Sequence, residues 1–219
     1  MTETSQVEQT TPDRRIHQKR SQKTYEKLVE TGFALLQERE FDDISIAELV
    51  REAGYSVGAF YARFHSKDEY FNALIAHHLA DRAAVRGKLI RTLTPENLLE
   101  GLVENLATYF WEHRGFWRAA LKRSMRDPEF WTPLRASSGR LATELVQRIS
   151  SIVGRPLSEH EETNVRFSCQ IVLGTINNTI INRPGPIFLG QREFIDHLAR
   201  AMRLVSNYDE LLAGARANR

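Results

Sequence analysis

Residues 45–70, SIAELVREAGYSVGAFYARFHSKDEY, carry the start and stop signals of three helices in close succession. Ser45 and Glu48 have the spacing of a capping box, in which a serine hydroxyl and a glutamate carboxylate satisfy the first free amides of a helix. Gly54 follows the apolar face of that helix, where a residue with positive φ ends a helix at little cost. The sequence therefore predicts a short helix that ends in a glycine turn.

A second short helix follows the turn, and a longer helix follows the second. Ser56 can cap the second helix, and Phe60 with Phe64, four residues apart, gives it one apolar side. Ser66 and Glu69 repeat the capping-box spacing at the start of the longer helix. Two short helices joined in this way are typical of a helix-turn-helix, which presents its second helix to the major groove of DNA.

Groups that bind phosphate gather around the second helix. Tyr61 offers a phenolic hydroxyl, Arg63 a guanidinium and Lys67 an ammonium group, and such groups supply most contacts to a DNA backbone. Gly58 lies inside the helix at a cost of about 1 kcal/mol relative to alanine. That cost is explained if a phosphate or another helix approaches its backbone closely. Pairs of small helices also occur in ordinary all-α cores, so the density of phosphate-binding groups carries the interpretation.

Residues 23–79 resemble the DNA-binding domain of the TetR (tetracycline-repressor-like) family of bacterial transcriptional regulators. The resemblance is close over ISIAELVREAGYSVGAFYARFHSKDEYF and implies that residues 46–53 support a recognition helix over residues 57–63. The implied partner is a double-stranded DNA operator. The resemblance implies phosphate contacts by Tyr61 and Lys67, and groove contacts by four residues of the recognition helix and its cap. Arg63 could add a contact with phosphate or guanine. The full set of candidate DNA-binding residues is Ser45, Ser56, Val57, Gly58, Tyr61, Ala62, Arg63 and Lys67.

Several positions depart from what is usual in the family. Ile46 stands where a threonine or serine often contacts the DNA backbone, and Arg63 stands where histidine is more usual. Val57 and Ala62 can meet thymine methyl groups, but they cannot make bidentate hydrogen bonds to base edges. We therefore expect DNA shape and phosphate contacts to carry more of the selectivity than direct readout does.

The charge of the chain is unevenly distributed. The net charge of the 219 residues is only +2, yet residues 14–27 hold six basic side chains and one acidic one. Residues 1–20 are predicted to be a disordered basic arm. Such an arm is either a solvated tail or a segment that adds phosphate or minor-groove contacts, and it can become ordered on DNA.

Cysteine content and hydropathy bear on the cellular location. Cys169 is the one cysteine, which excludes a disulfide framework within the chain and suits a reducing compartment. The first twenty residues are polar and lack the apolar core of a signal peptide, and no run of about 18 apolar residues occurs. We expect a cytoplasmic protein with no membrane contact.

The rest of the chain also has a helical period, so the predicted fold class is all-α. An N-terminal three-helix bundle with the helix-turn-helix (residues 21–79) is followed by a larger helical ligand-binding and dimerisation domain (residues 80–219). Gly115 is expected to end one helix. Residues 171–181 hold enough β-branched residues that a strand is an alternative there, although the length of the surrounding pattern favours a helix. The predicted helices outside the motif cover residues 21–39, 66–89, 94–114, 116–126, 128–153, 158–182 and 191–212.

The last two long helices are apolar on more than one side. Ile171, Val172, Leu173, Ile176 and Ile180 cannot all face the core of one subunit, and a helix of this kind is buried on several sides. The resemblance implies a homodimer in which these helices pack as a four-helix bundle. A two-fold dimer matches a palindromic operator.

The middle of the chain is rich in aromatic residues. Taken alone, this pattern indicates core filling, whereas the resemblance implies a pocket for a small apolar inducer. The polar candidates on the long helix could equally face solvent or the dimer partner. The candidate pocket residues are Phe110, Trp117, Trp131, Arg166, Gln170 and Asn177.

The function expected from these features is that of a DNA-binding repressor which a small inducer releases by shifting a conformational equilibrium. The alternatives are a helical adaptor that binds protein and a constitutive DNA-binding regulator without a ligand. An enzyme is not expected, since glycine-rich phosphate loops, nucleophile elbows and zinc-protease motifs are lacking. No cofactor and no metal are expected.

Overall fold

A computed structural model describes residues 12–217 of the protein, with the side chains of residues 19–83 and 85–217. Within these residues every regular element is helical, which confirms the all-α fold class and excludes the rival strand over residues 171–181. Two 3-10 helices occur, at Phe41–Asp43 and Pro128–Trp131. The α-helices are α1 (Pro12–Glu38), α2 (Ile46–Ala53), α3 (Val57–Tyr61), α4 (Lys67–Thr92), α5 (Leu98–Glu112), α6 (Arg114–Ser124), α7 (Thr132–Val153), α8 (Glu159–Asn182), α9 (Arg192–Val205) and α10 (Tyr208–Ala217).

Helices α1 to α4 form the N-terminal bundle around one apolar core. Helix α1 packs on α2 and α4, and α2 packs on α3. Each of the four helices buries apolar side chains in this core, among them Leu28, Leu49, Phe60 and Phe71. Burying a side chain of this size stabilises a fold by about 1.5–3 kcal/mol, so these contacts hold the short helix α3 in place.

Helices α5 to α10 form the larger second domain. Helix α5 packs on α9, and α8 lies between α7 and α9, while α7 also contacts α4. On α8, Val172 and Ile176 are buried in this domain, whereas Phe167 is 51 % exposed. Only part of the apolar surface of α8 is therefore buried within one chain.

The N-terminus differs from its prediction. Helix α1 begins at Pro12, so the predicted disordered arm over residues 1–20 is wrong for residues 12–20, which are helical. Residues 1–11 lie outside the described residues. The sequence signals missed this extension because charged and polar residues give no apolar period. Helix α4 runs without a break across the predicted domain boundary at residues 79–80, which stays a prediction.

The helix predicted over residues 191–212 is two helices. Helix α9 ends at Val205 and α10 begins at Tyr208, since Asn207 between them adopts the left-handed conformation with φ 51°. Asparagine tolerates this conformation better than most residues do. The break turns Tyr208 into the core, where its hydroxyl donates to the carbonyl of Pro95 at 2.8 Å.

The sequence predicted that Gly115 ends a helix, but this residue lies in the first turn of α6. A Cβ atom on Gly115 would be 1.5 Å from the carbonyl oxygen of Leu36 in α1. The glycine is explained by this close approach of two helix backbones. The helix predicted from residue 128 also differs from its prediction. Its first residues form the 3-10 helix, which Asp127 caps, and α7 follows directly.

The two predicted capping boxes in the motif are only half formed. The hydroxyls of Ser45 and Ser66 accept hydrogen bonds from the amides of Glu48 and Glu69, at 3.1 and 3.0 Å. The glutamate carboxylates do not accept hydrogen bonds from the serine amides. Glu48 pairs with Arg39 instead, and Glu69 accepts a hydrogen bond from the amide of His65. In this motif the serine half of the box sets the helix starts.

Within the described residues, no helix combines the length and the apolar character that crossing a bilayer requires.

Candidate nucleic-acid interface and internal cavity

The turn between α2 and α3 is held by local hydrogen bonds. Gly54 ends α2 in the left-handed conformation, with φ 76°. Ser56 caps α3 by accepting a hydrogen bond from the amide of Ala59 at 3.2 Å. On its inner side α3 is anchored by Phe60, which contacts the rings of Phe64 and Tyr70 with centroids 5.2 and 5.5 Å apart. The position of the outer side of α3 therefore follows from the core.

The outer side of α3 is exposed and carries five of the predicted DNA-binding residues, while a sixth, Ser45, is exposed at the start of α2. Val57 is 43 % exposed and Tyr61 is 52 % exposed. A Cβ atom on Gly58 would meet only the hydroxyl oxygen of Ser56, at 3.7 Å, so nothing among the described residues requires glycine there. The five residues on this surface are Ser56, Val57, Gly58, Tyr61 and Ala62.

Arg63 is held against the protein. Its guanidinium donates to the carbonyl of Ala59 at 2.7 Å and to the carbonyl of Ser21 in α1 at 3.3 Å. These bonds brace the end of α3 against α1. A contact of Arg63 with phosphate or guanine would require these bonds to break, and it stays a prediction.

Lys67, the first residue of α4, is also engaged within the bundle. Its ammonium group donates to the carbonyl of Asp42 at 3.1 Å and lies 4.6 Å from the centre of the Phe41 ring. Partial burial lowers the pKa of Lys67 from its ordinary value, against the opposing effect of the acidic residues nearby. Lys67 thus ties the 3-10 turn to the start of α4.

A cavity of about 80 Å³ lies between α4, α5, α6, α7 and α8. Four of the six predicted pocket residues line it: Phe110, Trp117, Trp131 and Asn177. Two aromatic rings in its wall stack on each other: those of Phe110 and Trp117 lie nearly parallel, with centroids 4.2 Å apart.

Arg166 and Gln170 lie outside this cavity, so their assignment to the pocket is corrected. Arg166 binds the carboxylate of Glu162 at 2.6 Å and the hydroxyl of Thr143 at 3.2 Å, and Gln170 is exposed. The cavity reaches only the C-terminal half of α8, where Asn177 lies. Helical spacing places the three residues on one stripe but does not indicate how far along that stripe a cavity extends.

Helix α4 contributes polar cavity residues that sequence reasoning missed. His78, Arg82 and Arg86 line the cavity at intervals of four residues. Arg86 makes two hydrogen bonds to the carboxylate of Glu144, at 2.9 and 3.0 Å. The four-residue spacing was the available signal, since it places the three side chains on one face of a helix.

The polar groups of the cavity are not all satisfied. Trp117 Nε1 and Asn177 Oδ1 are buried without a hydrogen-bond partner. Burial lowers the pKa of His78 to about 3, so its ring is neutral at physiological pH. The hydroxyl of Tyr109 contacts His78, and burial raises the pKa of that tyrosine. The cavity therefore combines an aromatic wall with unpaired polar atoms, as small-molecule sites do.

Comparisons with known proteins agree with this arrangement. Residues 28–74 match the model of a family described as bacterial regulatory proteins, tetR family. An uncharacterized HTH-type transcriptional regulator of Bacillus subtilis, YwcC, is 31 % identical over 94 residues, which is 40 % of this chain. The aligned part covers 42 % of that relative, so the chain matches about two fifths of its length.

Solved structures extend the likeness to nearly the whole chain. A tetR-family transcriptional regulator from Streptomyces coelicolor aligns with a TM-score of 0.64 and 18 % identity, over 90 % of this chain and 84 % of that one. A TetR transcription regulator from Haloarcula marismortui aligns with a TM-score of 0.65 and 19 % identity, over 85 % and 96 %. The fold is shared over most of the length, and the helix-turn-helix matches in sequence. Residues 28–74 therefore match the tetR family of bacterial regulatory proteins in sequence, and most of the chain shares the fold of solved tetR-family regulators.

Proposed function

We propose that this transcriptional regulator is a repressor that binds a palindromic DNA operator as a homodimer and releases it when a small apolar ligand occupies the cavity. The observation that carries the proposal is the exposed outer side of α3. There Gly58 has open space above its backbone and Tyr61 presents a phenolic hydroxyl beside it. A glycine that no contact within the chain requires is explained by the approach of another molecule.

The proposed groove contacts are few. Val57 and Ala62 offer only apolar contacts, and Ser56 uses its hydroxyl oxygen to cap α3. Arg63 and Lys67 flank this surface and can reach phosphates if they leave their present partners. We infer that affinity comes mainly from phosphate contacts and that selectivity depends strongly on DNA shape.

Genomic footprinting with the purified protein tests the DNA-binding part and yields the operator. We expect protected palindromic sites with half-sites about one helical turn, or 34–36 Å, apart. Binding to a recovered operator should weaken steeply as salt increases, because phosphate contacts release counterions. Tyr61→Phe should lower the affinity about three- to tenfold through loss of one hydrogen bond, with its thermal stability unchanged. Binding to protein partners but to no DNA would favour the adaptor alternative instead.

The proposed dimer forms through α8 and α9. Phe167 of α8 is 51 % exposed, and Gly174, two turns further along the same face, has no neighbour within 4 Å of a Cβ position. On α9, Leu204 is 64 % exposed. Small and large apolar residues on adjacent exposed helices favour close packing with a second copy.

We expect Phe167→Glu to convert the dimer into a monomer, because it places a charge in a desolvated interface. Light scattering coupled to size exclusion measures the mass directly. The matched control is Met125→Glu, which alters an exposed apolar side chain at the end of α6 and should leave the mass unchanged. A Phe167→Glu protein that remains fully dimeric would place the interface elsewhere.

Release by a ligand is supported by the way α4 and α6 connect the cavity to the DNA-binding bundle. The first turns of α4 bury Phe71 in the bundle, whereas Arg82 on the same helix lines the cavity. On α6, Trp117 lines the cavity, and Arg118 and Lys122 bind Glu40 at 3.2 and 2.9 Å. A ligand that moves either helix would shift α3, and differential binding to two states is what release requires.

Titration of the operator complex with cell metabolites tests this part. We expect one class of small molecule to lower operator affinity by about five- to 150-fold, the usual range of such coupling. If no metabolite alters operator binding, the constitutive alternative holds. If a metabolite tightens the complex, the ligand acts as a co-repressor and simple induction is wrong.

A further inference from the structure

One arginine that lines the cavity forms no salt bridge within the described residues. Arg86 is neutralised by its two hydrogen bonds to Glu144. Arg82, one turn earlier, donates to Asn105 Oδ1 at 2.6 Å, and its guanidinium lies 3.8 Å from the centre of the Tyr109 ring. In the described part of the chain, no carboxylate oxygen approaches its guanidinium within 4.0 Å.

The other titratable groups that line the cavity with Arg82, apart from Arg86, carry no charge. His78 is neutral, since burial lowers its pKa to about 3. Tyr109 stays protonated, because burial raises its pKa further above the physiological range. An arginine keeps its charge in a protein, so Arg82 places a positive charge beside apolar walls, and the carboxylates of Asp81 and Glu112 act on it only from beyond salt-bridge distance. A half-buried charge of this kind is normally paired.

Two buried polar atoms further along the cavity also lack partners. Trp117 Nε1 can only donate a hydrogen bond, and Asn177 Oδ1 can only accept one. Both residues line the same cavity as Arg82. A hydroxyl group can accept a hydrogen bond from the first atom and donate one to the second.

Between these polar groups the cavity wall is flat and apolar. The indole of Trp117 stacks on Phe110, and Trp131 lies edge-on to Trp117 with centroids 6.4 Å apart. Leu106 and Leu141 complete this part of the lining. Planar rings pack well against such a wall, through offset stacking or edge contacts.

We propose that the ligand of this cavity is an aromatic monocarboxylic acid with a hydroxyl substituent, whose carboxylate binds Arg82. The hydroxyl binds Trp117 Nε1 and Asn177 Oδ1. One arginine without a salt-bridge partner matches one carboxylate, whereas a phosphate ester would bring about two negative charges at neutral pH to a single cation. This inference rests on the proposed role of the cavity as the ligand site.

Calorimetric titration of the full-length protein with matched pairs of acid and amide tests the inference. The probes are para-hydroxybenzoate and meta-hydroxybenzoate, each compared with its primary amide, which keeps the shape and loses the charge. We expect at least one acid to bind about tenfold or more tightly than its amide. Tryptophan fluorescence should change on binding, since Trp117 and Trp131 line the cavity.

Variants of Arg82 identify the residue responsible. Arg82→Gln should abolish the preference for the acid, and Arg82→Lys, which keeps the charge, should retain most of it. The matched control is Arg91→Gln, which alters an exposed arginine on the same helix and should leave the preference unchanged. If neither acid binds, if the amides bind equally well, or if Arg82→Gln keeps the preference, the inference is wrong.

Operator binding separates this inference from the proposed function. An acid that binds through Arg82 but leaves the operator complex intact would support the inference and contradict induction. A neutral molecule that binds in the cavity and releases the operator would support induction and overturn the inference.

Discussion

Gly115→Ala should lower the free energy of unfolding by about 3 kcal/mol or more, or prevent folding altogether. The added methyl group would lie 1.5 Å from the carbonyl oxygen of Leu36, an atom of the helix backbone that no rotamer change can move. Helices α1 and α6 would have to separate, and they join the DNA-binding bundle to the second domain. Urea unfolding followed by circular dichroism measures the loss.

Gly139→Ala is the matched control for this variant. Gly139 lies within α7, and no atom lies within 4 Å of the position of an added Cβ. Alanine there should raise stability by up to about 1 kcal/mol, because it favours the helix over the unfolded chain. If the Gly115→Ala protein is as stable as the Gly139→Ala protein, the backbones of α1 and α6 do not approach each other closely enough to exclude a methyl group.

Gly58→Leu is expected to weaken operator binding about a hundredfold or more, equivalent to about 2.7 kcal/mol, without loss of stability. The site is exposed, and a Cβ atom there would meet only the hydroxyl of Ser56 at 3.7 Å. Leucine also favours a helix more than glycine does, so the melting temperature should be unchanged or slightly higher. The side chain would instead occupy the space that the DNA backbone or groove needs.

Fluorescence anisotropy with the footprinted operator measures this loss of affinity. Gly58→Ala should have a smaller effect in the same direction, because the methyl group fills less of the space. Gly139→Leu, a change of the same kind on an exposed site of α7, should bind the operator normally. Wild-type affinity in the Gly58→Leu protein would mean that the outer side of α3 does not enter the groove.

The helix-turn-helix was predictable because its signals are local. Ser45, Gly54 and Ser56 act within one turn of the helix ends that they define, and the structure has each of them in its expected capping conformation. The period of apolar residues then indicated which side of α3 is buried, through Phe60. Signals of this kind need no knowledge of the remaining chain.

Predictions that depended on distant residues were less accurate. The carboxylate of Glu48 does not complete its capping box, because it pairs with Arg39, which lies outside the motif. Gly115 was interpreted as a helix end because glycine commonly has that role, whereas its neighbour is Leu36 in another helix. Arg166 shared a helix stripe with Asn177, but the cavity ends before it.

The sequence by itself determined the all-α class, the positions of the helix-turn-helix and the family resemblance, because capping, turns and helical periods are set by residues within one or two turns of each other. Only the tertiary structure decided which side chains meet in the cavity, since its walls come from five α-helices and one 3-10 helix. It likewise decided that Arg86 pairs with the carboxylate of Glu144, whereas Arg82 donates to the amide oxygen of Asn105. Such pairings depend on how helices distant in the chain pack, and no local pattern encodes that geometry.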